Sequence, residues 1–350
     1  HVDLDFCELL NQEVERFLDL LTPDQQDQLR FRQALILFRQ ELYTEANELW
    51  SSLLRRPALG KKLRATILML LVELKGYTGG PDVAITYAQE AEALYKELIS
   101  TETDVDLKTL YESELSQLYN NWGYVHRVKG NLAAALEYYD KALESGKGTR
   151  KNLARTLNNK GYIYALLGDD TKARTLVGRA LQFRKLLNIA YELGLGYNTM
   201  GILMEDSGRI DQAAELYDRA LLSFEDARSQ RGMALVLLNL GHLRRQSNLY
   251  DDALTLLQKA EHIFKQKNDK DHLLQVINEI GCVYRQRGKG DDFQLAEKYL
   301  MHSLEMAEEI GRPLDIADNK EDLSILYRRM SMELRRQGYV SSAEEYAQKA

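Results

Sequence analysis

The sequence is poor in proline, poor in cysteine and free of long apolar runs. Only 4 of its 350 residues are proline, where about 5% would give roughly 17 or 18. With 22 glycines, an ordinary complement, this argues against proline-rich linkers, low-complexity disorder and turn-dense all-β architecture. Two cysteines, Cys7 and Cys282, are too few for a disulfide framework and point to a reducing, cytoplasmic setting. No apolar run reaches the length of a membrane span, and the N-terminus lacks the basic and apolar regions of a signal peptide. Basic residues are not in excess either: 46 against 53 acidic leave a net charge of −7, the wrong sign for a general binder of nucleic acid or anionic membrane.

What the sequence has is itself, repeated. Asn120-Asn121-Trp122-Gly123, Asn158-Asn159-Lys160-Gly161, Asn198-Thr199-Met200-Gly201 and Leu238-Asn239-Leu240-Gly241 align without gaps, and Asn278-Glu279-Ile280-Gly281 follows. The glycines are spaced by 38, 40, 40 and 40 residues. Seven residues after each comes Gly130, Gly168, Gly208, Asn248 or Gly288. Further on, a pair of alanines seven apart recurs as Ala135 and Ala142, Ala173 and Ala180, Ala213 and Ala220, and Ala253 and Ala260.

Each position has a physical reason. A glycine inside a helix costs about 1 kcal/mol against alanine, so its recurrence implies a neighbouring helix too close for a side chain. The second glycine suits a helix C′ position in the left-handed conformation, and asparagine is the next residue tolerated there. Paired alanines make a small stripe along which a second helix can pack closely. The unit is therefore helix, tight turn, helix. All four prolines (Pro23, Pro57, Pro81, Pro313) fall between predicted helices, where a missing N–H does least harm.

The pattern in Gly123-His126-Gly130-Ala135-Tyr139-Ala142, and its copies from Gly161 and Gly201, resembles the tetratricopeptide repeat family. A period near 40 exceeds the usual 34, which suggests longer second helices and loops, as in kinesin light chains and many bacterial sensor arrays. Degenerate copies extend the array both ways. The expected fold is an all-α, right-handed solenoid of about eight helix-turn-helix repeats over residues 28–350. Residues 1–27 are expected to hold a capping or connecting helix over 3–21, on Leu4, Cys7, Leu10, Val14, Phe17 and Leu21. His1 at one end and an alanine stripe at the other suggest a piece of a longer protein, truncated at the C-terminal end.

No catalytic pattern emerges: GxxxxGK[ST], GxSxG, HExxH and CxxC are absent, and the six histidines lack paired ligand spacing. No metal, cofactor or catalytic residue is expected. His126 and Cys282 fit packing positions, and Tyr138, Tyr139, Tyr217 and Tyr299 fall on second-helix stripes. An enzyme dispersed along the array, of phosphatase-like or nucleic-acid-handling kind, is the weakest reading.

The resemblance implies a concave groove lined by the first helices. It carries over an asparagine set, Asn120, Asn121, Asn158, Asn159, Asn198, Asn239 and Asn278, whose amides could hold a peptide backbone or equally tie adjacent repeats together. A second set on the same helices, Tyr124, Arg127, Arg155, Tyr162, His242, Arg245 and Arg285, could hold carboxylates or phosphates or be ordinary solvated side chains. Glu205 and Asp206 interrupt it. The expected function is a non-enzymatic recognition module for a peptide, protein segment or small effector, with neither nucleic acid nor membrane as partner. By resemblance it would be the sensor region of a STAND-class signal-transduction ATPase, with an upstream nucleotide-binding domain in the same chain. The alternative is an assembly scaffold or cargo adaptor.

Overall fold

The computed structural model describes residues 20–144 and 148–350; the helix expected over 3–21 lies almost wholly outside them. Sixteen helices are the regular elements of the described residues, and they pair into eight antiparallel hairpins. The chain divides into two units, His1–Ile189 and Ala190–Ala350. The first contains α1 (Pro23–Arg39), α2 (Tyr43–Leu54), α3 (Lys61–Thr78), α4 (Pro81–Thr101), α5 (Val105–Val128), α6 (Leu132–Glu144), α7 (Arg150–Leu166) and α8 (Asp170–Leu187). The second contains α9 (Ala190–Asp206), α10 (Ile210–Asp226), α11 (Gln230–Gln246), α12 (Tyr250–Gln266), α13 (Lys270–Arg287), α14 (Asp292–Ile310), α15 (Pro313–Arg336) and α16 (Val340–Lys349). Odd-numbered helices are the first of each hairpin. Within each unit a hairpin packs chiefly on its neighbours, the organisation of an all-α solenoid.

The ends of the helices follow from local chemistry. Thr22 and Gln25 form a reciprocal capping box at the start of α1. Thr149, Asp169, Ser229 and Asp269 each accept a backbone N–H at a later helix start. Pro23, Pro81 and Pro313 occupy first helical positions, and Pro57 lies in the connection between α2 and α3. Gly130, Gly168, Gly208 and Gly288 have φ of 75°, 77°, 73° and 59°, and Asn248 stands in the same place at 60°. This is the left-handed turn that the recurring glycine predicts.

Packing explains the other glycine. A Cβ on Gly123, Gly201, Gly161, Gly241 or Gly281 would approach Tyr139, Tyr217, Val177, Leu257 or Leu300 to between 2.6 and 2.8 Å. A large side chain of the paired helix fills that space, so the obstacle is a side chain rather than backbone. Ser331 occupies the glycine position in the last hairpin and donates its hydroxyl to the Ala343 carbonyl at 2.7 Å. The alanine stripes of α6, α8, α10 and α12 are buried. Tyr139, Tyr217 and Phe264 are buried completely, each worth about 1.5–3 kcal/mol for a side chain of this size.

The long period is spent in helix, not in loop. In the second unit α9 to α12 have 17 residues each, and the connections between them, such as 207–209 and 227–229, are short. Longer loops are therefore not how the repeat reaches 40. The connection Gly288–Asp291 is longer: Gly288 and Gly290 both turn left-handed there, and Asp292 accepts from Arg287 and from the Lys289 N–H.

Candidate functional site

In the first unit, three side chains read from the sequence converge. The Arg127 guanidinium lies 4.7 Å from the Tyr124 ring centroid and 5.1 Å from that of Tyr162, so an arginine of α5 is held between rings from α5 and α7. The stack continues away from Arg127: Tyr124 meets Tyr77 edge-on at 5.7 Å, and Tyr77 meets Tyr43 at 5.9 Å. Tyr77, Tyr124 and Tyr162 each directly follow a glycine, Gly76, Gly123 and Gly161. All three rings are half-buried, and the Arg127 cation packs against the faces of two of them.

Beside this ladder lies Glu73 of α3, a buried carboxylate. Arg155 donates to it at 2.7 Å, Tyr77 at 3.1 Å and Asn121 at 3.5 Å. Burial alone would push the Glu73 carboxyl up. The charge and hydrogen bond of Arg155, with the Tyr77 hydroxyl, outweigh that and hold it below the usual carboxylate range. Arg155 and Asn121 thus join helices of successive hairpins around one acid.

The asparagines have protein partners. Asn159 donates to Asn120 at 3.2 Å and Asn239 to Asn198 at 2.8 Å. In both, the amide two residues before one glycine reaches the amide three before the previous glycine. Asn121 also donates to the Met69 carbonyl at 3.3 Å. Asn158 accepts from the fully buried Arg184 at 2.8 Å. Asn278 donates to Asn319 and to Asp322 at 3.1 and 3.0 Å. These bonds run between neighbouring helices and fix the register of each unit.

In the second unit the charged residues gather around acids. Arg245 holds Glu279 through two nitrogens, and His242 Nδ1 lies 3.1 Å from the same carboxylate. Burial would raise Glu279, but His242 and Arg245 together keep it below its ordinary value. Arg285 donates to Asp322 at 2.8 Å. Glu205 stands four residues after Gly201, where Arg127, Arg245 and Arg285 stand after their glycines. It accepts from the Tyr217 hydroxyl at 2.6 Å, and burial pushes its carboxyl up. Cys282 is buried beside Asn278 and Arg285, and burial pushes its thiol up to about 12, the behaviour of a packing residue.

The sequence reading missed four residues that organise these groups: Glu73, Tyr77, Glu279 and Asp322. Three carried a signal. Tyr77 follows Gly76 as Tyr124 follows Gly123, Glu73 stands three before Gly76 in the slot of Asn120, Asn158, Asn198 and Asn278, and Glu279 occupies the slot two before the glycine that holds Asn121, Asn159 and Asn239 elsewhere. Asp322 lies in a degenerate repeat, where no register marks it. Among the described residues, no cluster of histidine, cysteine and acidic side chains could hold a metal ion. No helix among them is long and apolar enough to cross a membrane.

Comparison with known proteins adds a family. The tetratricopeptide repeat family model matches residues 114–185, 192–266 and 232–309. The human SH3 domain and tetratricopeptide repeat-containing protein 2 is 26% identical over 132 residues, covering 37% of this chain and 10% of that protein. The chain thus matches about a tenth of that relative's length. Among solved structures, a Rap protein complexed with competence and sporulation factor is 13% identical, covers 93% of this chain and 97% of its own, and has a TM-score of 0.58. A Rap conjugation gene regulator in complex with a Phr peptide is 16% identical over 91% and 92%, with a TM-score of 0.52. The APC/C hetero-tetramer Cut9-Hcn1 is 16% identical over 80% and 46%, also at 0.52. At these identities the likeness is one of fold, the all-α helical solenoid.

Proposed function

Because the chain belongs to the tetratricopeptide repeat family, we propose that it is a non-enzymatic recognition module that binds a peptide or protein segment on the face of its first helices. The observation that carries this reading is Arg127 held between Tyr124 and Tyr162. Ring faces and a guanidinium whose orientation is fixed in advance lower the ordering cost of binding an extended segment. The Rap regulator of like fold holds a Phr peptide, which supports a peptide as the class of ligand. In the second unit, His242 and Arg245 occupy the corresponding face.

The test is a random peptide library displayed on phage, selected on the full chain. Peptides enriched on the wild type should lose at least about tenfold in affinity, or 1.4 kcal/mol, on Arg127→Ala or Tyr162→Ala, with the melting temperature nearly unchanged. Selected peptides that bind Arg127→Ala, Tyr162→Ala and Arg245→Ala as tightly as the wild type would remove the face from consideration. The wider reading is a cytoplasmic sensor attached to an upstream nucleotide-binding domain of the STAND class, supported by the long repeat period. The full-length gene decides it: without such a domain upstream, an assembly scaffold takes its place.

A further inference from the structure

The last first helix, α15, carries a second stripe that its own hairpin does not use. Its packed side includes Asn319, Leu323, Leu326 and Met330, all buried. On the opposite side a seam runs from Leu314 to Arg335, its members four and three residues apart in alternation, the spacing by which one helix packs along another. The apolar members are Leu314, 46% exposed, Met332, 53% exposed, and between them the half-buried Ile325. The charged members are Asp318 and Glu321 before Ile325 and Arg328 and Arg335 after it, all exposed.

Charge is thus divided by sign along the seam, and none of these four side chains makes an ion pair or hydrogen bond among the described residues. Their neighbours do. Asp315 is held by Arg312 and Asp322 by Arg285, both at 2.8 Å, while Arg329 donates to the Arg285 carbonyl and lies over the Phe293 ring. Partial burial and the charges of Asp315, Asp322 and Glu321 push the Asp318 carboxyl up, so a cation brought beside it is favoured. This side is also one that the array packs elsewhere. Arg245 and Arg285 stand four residues after Gly241 and Gly281 and reach Glu279 and Asp322 of the following first helix. Arg335 stands four after Ser331, in the same register, without such a partner.

We infer that α15 is an interface between two copies of this chain, pairing with α15 of the second copy antiparallel about a two-fold axis near Ile325. Crossing there sets Glu321 opposite Arg328, since they stand four residues before and three after Ile325. Asp318 and Arg335, seven before and ten after, come within about 4.5 Å of each other along the helix axis, inside the reach of an arginine side chain. The two-fold axis repeats both pairs, which makes the patch self-complementary. A parallel copy would set acid against acid and arginine against arginine, so repulsion as well as attraction fixes the orientation. A second copy is the occupant because one helix supplies both signs in the order that its own antiparallel image needs. A single helix pair about 32 Å long, with exposed ion pairs that salt screens, makes a weak dimer that dilution and salt dissociate. The pairing does not depend on ligand binding at Arg127, which lies in the other unit.

The experiment is sedimentation velocity on the full chain over a dilution series, at about 0.05 and about 0.5 M salt. The wild type should pass from dimer to monomer on dilution, with a dissociation constant severalfold higher in the stronger salt. Arg328→Glu with Arg335→Glu makes the seam acidic throughout and should raise the dissociation constant at least about tenfold. Asp318→Arg with Glu321→Arg makes it basic throughout and should do the same. Mixed in equal amounts, the two double variants should pair with each other and restore the dimer. All four residues are exposed, so circular dichroism should find the helix content of both variants unchanged. A wild type that stays monomeric at every concentration overturns the inference. So does a dimer indifferent to both charge reversals, or a mixture of the two variants that stays monomeric.

Discussion

Cε1 of Tyr139 lies 2.6 Å from where a Cβ on Gly123 would be. The tyrosine ring fills the space the glycine leaves, so the two residues, on successive helices of one hairpin, act as a single packing element. Gly123→Ala should gain about 1 kcal/mol of helix propensity but lose more through overpacking, which costs typically 1–3 kcal/mol. Chemical denaturation should show a net loss for Gly123→Ala. Adding Tyr139→Leu should recover part of it, giving a coupling energy of opposite sign in a double-mutant cycle. Additive losses would mean that the two side chains do not compete for space.

Tyr139 and Tyr217 hold equivalent positions, yet removal of their hydroxyls should act in opposite directions. The Tyr139 hydroxyl is buried without a hydrogen-bond partner among the described residues, whereas that of Tyr217 donates to Glu205 at 2.6 Å. Tyr139→Phe should be neutral or stabilising. Tyr217→Phe should lose about 1.5–3 kcal/mol, the value of a hydrogen bond to a charged group. Urea denaturation of the two variants side by side checks both signs.

Asn248 takes the left-handed turn at φ 60° where Gly130, Gly168 and Gly208 stand in other hairpins. A Cβ is tolerated there at some cost, so Asn248→Gly should raise stability by a few tenths of a kcal/mol to about 1. Gly208→Ala should lower it by about 1 kcal/mol, although nothing lies within 4 Å of its added Cβ. The loss would come from backbone conformation alone, measurable as a lower melting temperature.

These turns and close contacts were legible in the sequence because they recur. A glycine repeated at 40 residues has a meaning that one glycine lacks, and Asn248 adopts the left-handed turn of the glycines it replaces. The site was legible only in part. Tyr124, Arg127 and Tyr162 could be placed on one face by register, and the structure does bring them together. Which acid each arginine meets could not be read, since Arg155 reaches Glu73 across 82 positions and Arg285 reaches Asp322 across 37. Such spacings depend on how degenerate hairpins dock, and no local pattern encodes that. The asparagines show the same limit: repetition revealed them as a set, and only packing showed that their amides bond to one another.

Asp269 makes the acid limit of the second unit testable. It is fully buried at the start of α13, where it caps the helix by accepting the His272 N–H. Arg231 of α11, itself buried, donates to it at 2.6 Å, and the His272 ring lies 2.9 Å away. Burial would push the Asp269 carboxyl up, but the charges of His272 and Arg231 and the hydrogen bonds outweigh it and hold the group far below its ordinary range. A carboxyl lowered on folding adds stability that is complete above its unfolded value, near 3.9, and is lost as pH falls through the folded one. The wild-type chain should therefore lose stability steeply below about pH 4, and Asp269→Asn should flatten that limb while lowering stability at neutral pH. Arg231→Met removes the partner and leaves a buried charge, so it should cost about 3–5 kcal/mol at neutral pH. It should cost much less in acid, where Asp269 can take up a proton instead. If Arg231→Met costs the same at both pH values, the pair does not set the acid limit.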